Sequence, residues 1–77
     1  MASMSARLTW KAADTLVRRA FNATRAEFEA VHHCGAETSY AYASGKICWI
    51  LADVLAGGAT ERNAAIVRLR DIAEGRE

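Results

Sequence analysis

The chain has 77 residues and a formal net charge of +1, from ten basic and nine acidic side chains. This length bounds it to one domain, and the near-neutral charge argues against a strong electrostatic hold on nucleic acid or an anionic membrane. No apolar run is long enough to cross a bilayer, and two cysteines without a disulfide-dense spacing indicate a soluble protein of the reducing cytoplasm. Because the chain has no proline, glycine is the residue that can end its helices cleanly.

The first predicted element is a long amphipathic helix over about residues 5–34. Its apolar side chains recur at steps of three and four residues, which places them on one helix face. Gly35 can take the left-handed conformation that ends such a helix. Arg25 and Glu29 lie on the other side, where we expect a weak surface ion pair. The apolar stripe, predicted to form the core or a dimer contact, consists of Trp10, Val17, Phe21, Phe28 and Val31.

The second predicted helix covers about residues 38–56, with Thr38 or Ser39 as its N-cap and a glycine pair as its stop. Tyr42 and Trp49 lie on the side opposite its main apolar stripe, so both faces are apolar. A helix of this kind is buried on more than one side or has one face covered by another chain. The main stripe consists of Tyr40, Ala43, Ile47, Ile50, Leu51, Val54 and Leu55.

The third predicted helix covers about residues 60–74, with Thr60 as its N-cap and Gly75 as its stop. The chain is therefore predicted to be all-α, a single domain folded as a three-helix antiparallel bundle with a long first helix. Since that helix is longer than the other two, we expect a homodimer to complete the core. The inward residues of the third helix are Ala65, Ile66, Leu69, Ile72 and Ala73.

One face of the second helix is the candidate binding surface. Tyrosine and tryptophan are residue types that dominate the hot spots of protein interfaces, and small neighbours such as Gly45 let a partner approach. The alternative is that both rings lie inside a monomeric bundle. No catalytic motif or cofactor site accompanies them, so we expect a non-enzymatic protein that binds a protein partner. The predicted partner-binding residues are Tyr42, Lys46, Trp49 and Asp53.

Two alternatives stay open. The first is a metal-organised helical hairpin, since the chain contains the atom types that zinc prefers, although their spacing is poor for a zinc site. Those side chains are His32, His33, Cys34 and Cys48. The second is a small DNA-binding regulator, since the glycine turn before the third helix invites comparison with a helix-turn-helix protein. That helix carries Arg62, Arg68 and Arg70, but the chain lacks the basic excess of a nucleic-acid binder.

The small size, the alanine- and arginine-rich composition and the helical stretch from Tyr40 to Leu55 resemble the accessory proteins of bacteriophages. Some of those proteins inhibit host defence or regulatory proteins, among them anti-CRISPR proteins and quorum-sensing inhibitors. The resemblance implies an inhibitor of a protein partner and carries no functional residue over to this chain.

Overall fold

The computed structural model describes residues 8–77, and these form three α-helices that all pack against one another. The helices are α1 (Trp10–His32), α2 (Ala36–Ala56) and α3 (Ala59–Ala73). No strand occurs within the described range, so the prediction of an all-α chain of three helices is confirmed. Within that range no helix has both the length and the apolar character that crossing a membrane requires.

The start of α1 is set by a side-chain cap. The Thr9 hydroxyl accepts a hydrogen bond from the backbone N–H of Ala12 at 3.0 Å, which satisfies one of the free donors of the first turn. Residues 8 and 9 are not helical, so α1 begins later than the predicted residue 5. The remainder of that prediction, residues 5–7, lies outside the described residues.

The end of α1 corrects the role predicted for Gly35. The left-handed residue is His33, with φ 52°, and its backbone N–H donates to the Glu29 carbonyl at 2.8 Å. Histidine tolerates this conformation better than most residues with a Cβ atom. Gly35 is extended and becomes the N-cap of α2, so the predicted capping by Thr38 or Ser39 is wrong.

The turn between α2 and α3 uses both glycines of its pair. Gly57 ends α2, with its N–H bonded to the Asp53 carbonyl at 2.9 Å, and Gly58 is the N-cap of α3 in place of the predicted Thr60. The Glu61 carboxylate accepts the Gly58 N–H at 2.8 Å. Hydrogen bonds from its own backbone N–H and from that of Gly58 hold the pKa of Glu61 below its usual value.

The end of α3 is a Schellman motif. Gly75 is left-handed, with φ 75°, and its N–H donates to the Ile72 carbonyl at 3.2 Å. The N–H of Arg76 donates to the Asp71 carbonyl at 2.7 Å, which completes the pair of bonds that defines the motif. Glycine suits the left-handed position because it has no Cβ atom, as the sequence predicted for this end.

The core is thin, and three of its eight buried apolar residues are alanines. Each helix contributes one nearly inaccessible alanine, Ala20 from α1, Ala43 from α2 and Ala65 from α3. Such small side chains let helices approach closely but remove little apolar area from water. Among residues 8–77 the largest completely buried side chain is that of Ser39, and no aromatic ring is buried. The buried apolar residues are Leu16, Ala20, Ala43, Ile47, Ile50, Ala65, Leu69 and Ile72.

A polar link joins α1 to α2 beside this core. The buried Ser39 hydroxyl accepts from Arg25 Nε at 3.3 Å and donates to the Glu29 carboxylate. The Arg25 guanidinium also lies 6.0 Å from the centre of the Phe21 ring and 5.8 Å from that of Tyr40, distances typical of cation–π contacts. Arg25 and Glu29 form the expected ion pair, at 3.6 Å between Nη2 and Oε2, and through Ser39 they also connect two helices.

The structure places the residues of the apolar stripe predicted on α1, as core or dimer contact, in different surroundings. Val17 and Phe21 pack against the core and Phe28 is half-buried, but Trp10 is 92% exposed and Val31 is also exposed. The fully buried residues of α1 lie only between residues 16 and 24. Because α1 is about 34 Å long at 1.5 Å per residue, its two ends extend beyond that buried middle. In α2, two residues of the predicted stripe, Tyr40 and Leu55, are likewise exposed.

The packing at Gly57 generates a stability prediction. A Cβ atom at this position would lie 2.7 Å from the Asp53 carbonyl oxygen and would also overlap the Glu61 side chain. Since the carbonyl belongs to the helix backbone, it cannot move aside cheaply. We expect Gly57→Ala to lower the free energy of unfolding by about 1–3 kcal/mol in urea denaturation. Gly58→Ser, where a Cβ atom would make only an ordinary contact with Glu61 Oε1 at 3.6 Å, should change it by no more than about 0.5 kcal/mol. Equal effects of the two substitutions would contradict the account.

A second prediction concerns the polar link. Ser39→Ala removes the hydroxyl that Arg25 and Glu29 share, so it should lower the free energy of unfolding by about 1–3 kcal/mol. Thr38→Ala is the control, because Thr38 is exposed on the same turn of α2 and should tolerate the change within about 0.5 kcal/mol. Thermal unfolding followed by circular dichroism measures both. A loss no larger than that of the control would mean that the link does not stabilise the fold.

Candidate functional site

The candidate site is a shallow groove on the outer side of α2, bordered by one residue of α3. Its volume is about 680 Å³. Tyr42, Lys46, Trp49 and Asp53 follow one another at steps of three or four positions, so they share one helix face. All four residues predicted to bind a partner line this groove, which we call the Trp49 groove. Its lining residues are Ala41, Tyr42, Gly45, Lys46, Trp49, Asp53 and Arg68.

The two rings of the Trp49 groove have different surroundings. Tyr42 stacks on Phe28 of α1, with ring centres 4.2 Å apart and planes inclined by 16°, and 45% of Tyr42 remains exposed. Trp49 is 79% exposed. Tyr42 is therefore fixed by an intramolecular contact that leaves part of its ring free, whereas Trp49 presents its indole to solvent. Neither ring lies in the interior that the alternative hypothesis required.

Two cations at one end of the groove share one carboxylate. Glu77 lies 3.3 Å from Lys46 Nζ and 3.1 Å from Arg68 Nε. The Arg68 hydrogen bond, assisted by Lys46, lowers the pKa of Glu77 below its ordinary value of 4.5. Two positive side chains of the groove therefore meet at the side chain of one glutamate.

The other end of the groove carries the opposite charge. Asp53 is exposed, and within residues 8–77 its carboxylate has no ion-pair partner. It lies seven residues after Lys46, which corresponds to about 10.5 Å along the axis of α2. Trp49 stands between the two charges, three residues after Lys46 and four before Asp53. The groove thus has an apolar centre flanked by a positive and a negative end.

Arg68, which lines the groove, and Glu77, which contacts two of its residues, were not predicted from the sequence. Arg68 comes from α3 and Glu77 follows α3, so neither belongs to the spacing pattern of α2. The sequence offered only a general indication, namely that an arginine of α3 is long enough to reach the surface of α2. Nothing in the linear spacing of the chain pairs Lys46 with a carboxylate 31 positions further on.

The histidines and cysteines of the predicted metal alternative are not gathered into one site. Among the described residues, no group of three or more histidine, cysteine, aspartate or glutamate side chains could hold a metal ion. His32 stacks on Phe28 with ring centres 4.2 Å apart, and His33 serves as the left-handed cap of α1. Cys34 is half-buried and Cys48 exposed, both as free thiols.

The arginines of α3 named for DNA binding are exposed but do not line one surface. Arg68 belongs to the Trp49 groove, and Arg70 lines a depression beside the start of α1. Arg62 stands at an apolar groove of about 700 Å³ that Leu16, Val54 and other side chains of all three helices line. The three guanidinium groups are therefore distributed over three surfaces.

Comparison of the chain with known proteins finds no matching family model, no matching curated protein and no matching solved structure.

The charge cluster gives a prediction on pH dependence. Arg68→Gln removes the strongest influence on Glu77, so the pKa of Glu77 should rise toward 4.5, with Lys46 left as its partner. In the unchanged chain the lowered pKa means that this contact stabilises the fold fully above about pH 4.5. The stabilisation is lost as the pH falls through the folded pKa.

A pH titration of the carboxyl carbon of Glu77 by NMR measures this change directly. Arg62→Gln is the matched control, since Arg62 lines another groove and should leave the pKa of Glu77 unchanged. If Arg68→Gln leaves that pKa where it is, the contact does not persist in solution.

Proposed function

We propose that the chain is a non-enzymatic protein-interaction module of the cytoplasm that binds a protein partner through the Trp49 groove and inhibits or modulates it. We further propose that its helices run antiparallel, as their short connections at residues 33–35 and 57–58 favour, and that the chain forms a homodimer. The resemblance in size and composition to bacteriophage accessory proteins favours a host defence or regulatory protein as the target.

One observation carries this proposal: the indole of Trp49 is 79% exposed in a groove that also contains Tyr42 and a charge at each end. Tryptophan and tyrosine are enriched among interface residues whose truncation costs most binding energy. An exposed indole has no role in the helix packing that stabilises the single chain. A partner that covers it would remove a large apolar ring from water, and Lys46 and Asp53 would fix the partner's orientation.

The experiment uses two tryptophans of the same chain as a matched pair. Trp49→Ala and Trp10→Ala each delete one exposed indole, but only Trp49 lies in the groove. Affinity-tagged wild-type and variant chains are incubated with an extract of the source cells, and captured proteins are identified by mass spectrometry. We expect Trp49→Ala to reduce recovery of the specific partner at least about tenfold, in line with a loss of about 2 kcal/mol or more at a hot spot. Trp10→Ala should capture it like the wild type.

The activity of the captured protein is then measured with and without added chain. A concentration-dependent change that Trp49→Ala weakens supports the proposed inhibition or modulation. Circular dichroism of both variants controls for folding. Equal capture by the two variants, or capture without any effect on the partner's activity, would overturn the proposed function.

A further inference from the structure

We propose that the Trp49 groove is also the surface through which two copies of this chain associate, with their α2 helices antiparallel and a two-fold axis beside Trp49. This inference rests on the proposed function in one respect, because it uses the same groove as the binding surface and names a second copy of the chain as one of its binding partners. The physical basis is the placement of charge. The ammonium group of Lys46 and the carboxylate of Asp53, which has no ion-pair partner among residues 8–77, lie on either side of Trp49 at nearly equal distances, three and four residues away.

A symmetric pair brings these opposite charges together. When two copies of α2 pack antiparallel around a point next to Trp49, Lys46 of each copy faces Asp53 of the other. A parallel arrangement would instead place Lys46 against Lys46 and Asp53 against Asp53, which is repulsive. An isologous contact repeats each interaction twice, so one pattern of charge supplies two ion pairs. The charges therefore select both the second copy as occupant and the antiparallel direction.

The apolar residues of the face agree with this register. The two Trp49 indoles meet at the axis, where each can cover the other. With Lys46 opposite Asp53, each tyrosine at position 42 faces the end of the other helix, where Ala56 and Gly57 are both small. Gly45 has nothing within 4 Å of the position that a Cβ atom would occupy, which leaves room for the second helix to approach.

The contact of Lys46 with Glu77 is compatible with this arrangement. Lys46 has three N–H donors, and the carboxylate of Glu77 is shared with Arg68. The side chain of Lys46 remains 24% exposed, so a second carboxylate can approach it from solvent. Glu77 and Arg68 thereby hold the lysine in place at the edge of the contact.

The test is an exchange of charges followed by sedimentation velocity. Lys46→Glu places two carboxylates in each cross-pair of a homodimer, and Asp53→Lys places two ammonium groups there. Each variant alone should dissociate more readily than the wild type, by about tenfold or more in the dimer dissociation constant. An equimolar mixture should form a heterodimer, because the new carboxylate of the Lys46→Glu chain then faces the new ammonium group of the Asp53→Lys chain. Both cross-pairs of that heterodimer are again opposite in charge.

Two further measurements separate association from folding. Circular dichroism establishes that each variant is folded, and Asp53→Lys leaves the contact between Lys46 and Glu77 untouched. Gly45→Leu keeps every charge and fills open space on the helix, so it should preserve helicity while preventing the close approach and the dimer. A monomeric wild type at several hundred micromolar would overturn the inference. So would single-charge variants that dimerise like the wild type, or a mixture of folded variants that stays monomeric.

These outcomes are independent of the capture experiment. A chain that captures its partner through Trp49 but sediments as a monomer retains the proposed partner binding and loses both the homodimer and this inference. A chain that forms the charge-dependent dimer and captures nothing retains the inference and loses the proposed function.

Discussion

The small apolar area that the three helices bury against one another determines much of what this molecule presents to its surroundings. Ala20, Ala43 and Ala65 are among the buried residues, and alanine removes little apolar area from water. The chain contains six aromatic residues, all within the described range, and none of them is buried. The three helices therefore pack together while burying little apolar area, and the aromatic side chains stay partly or fully exposed. The exposed indoles of Trp10 and Trp49 follow directly from this.

The exposed apolar side chains are distributed differently on α1 and on α2. On α1 it is confined to the ends, with Trp10 and Val31 separated by the buried middle of the helix. On α2 it includes Tyr42 and Trp49 in the Trp49 groove, and Tyr40 and Leu55 outside it. A partner can cover Tyr42 and Trp49 with one helix, whereas Trp10 and Val31 would need contacts at two distant points. For this reason we place the proposed interaction surface on α2 and not on the apolar stripe of α1.

The existence of three helices and most of the aliphatic core could be predicted from periodicity, since Ile47, Ile50, Leu69 and Ile72 recur at helical steps and are buried. Helix ends were less predictable, because a left-handed conformation suits His33 well enough to end α1 before Gly35 is reached. The link among Arg25, Glu29 and Ser39 was missed for another reason. The amphipathic pattern of α1 predicts that its charged residues face water. It cannot show that a buried hydroxyl of α2 lies close enough to form hydrogen bonds with them. The face of the Trp49 groove was predictable from α2 alone, but its charge balance depends on Arg68 and Glu77.

A surface with an apolar centre and opposite charges at its ends suits two occupants of related shape, a second α2 helix and a partner that presents a similar helix. Both would cover Trp49, so they cannot bind at the same time. If the chain dimerises as proposed, mass action would make its own concentration part of its regulation, because dimerisation would reduce the fraction of chains whose groove is free. A partner must therefore bind more tightly than a second copy does at the concentration in the cell. A heterologous partner can bind more tightly through additional contacts with Arg68 or with the exposed part of Tyr42. A helix that contacts only Trp49, Lys46 and Asp53 would make no more contacts than a second copy of the chain does in the proposed homodimer.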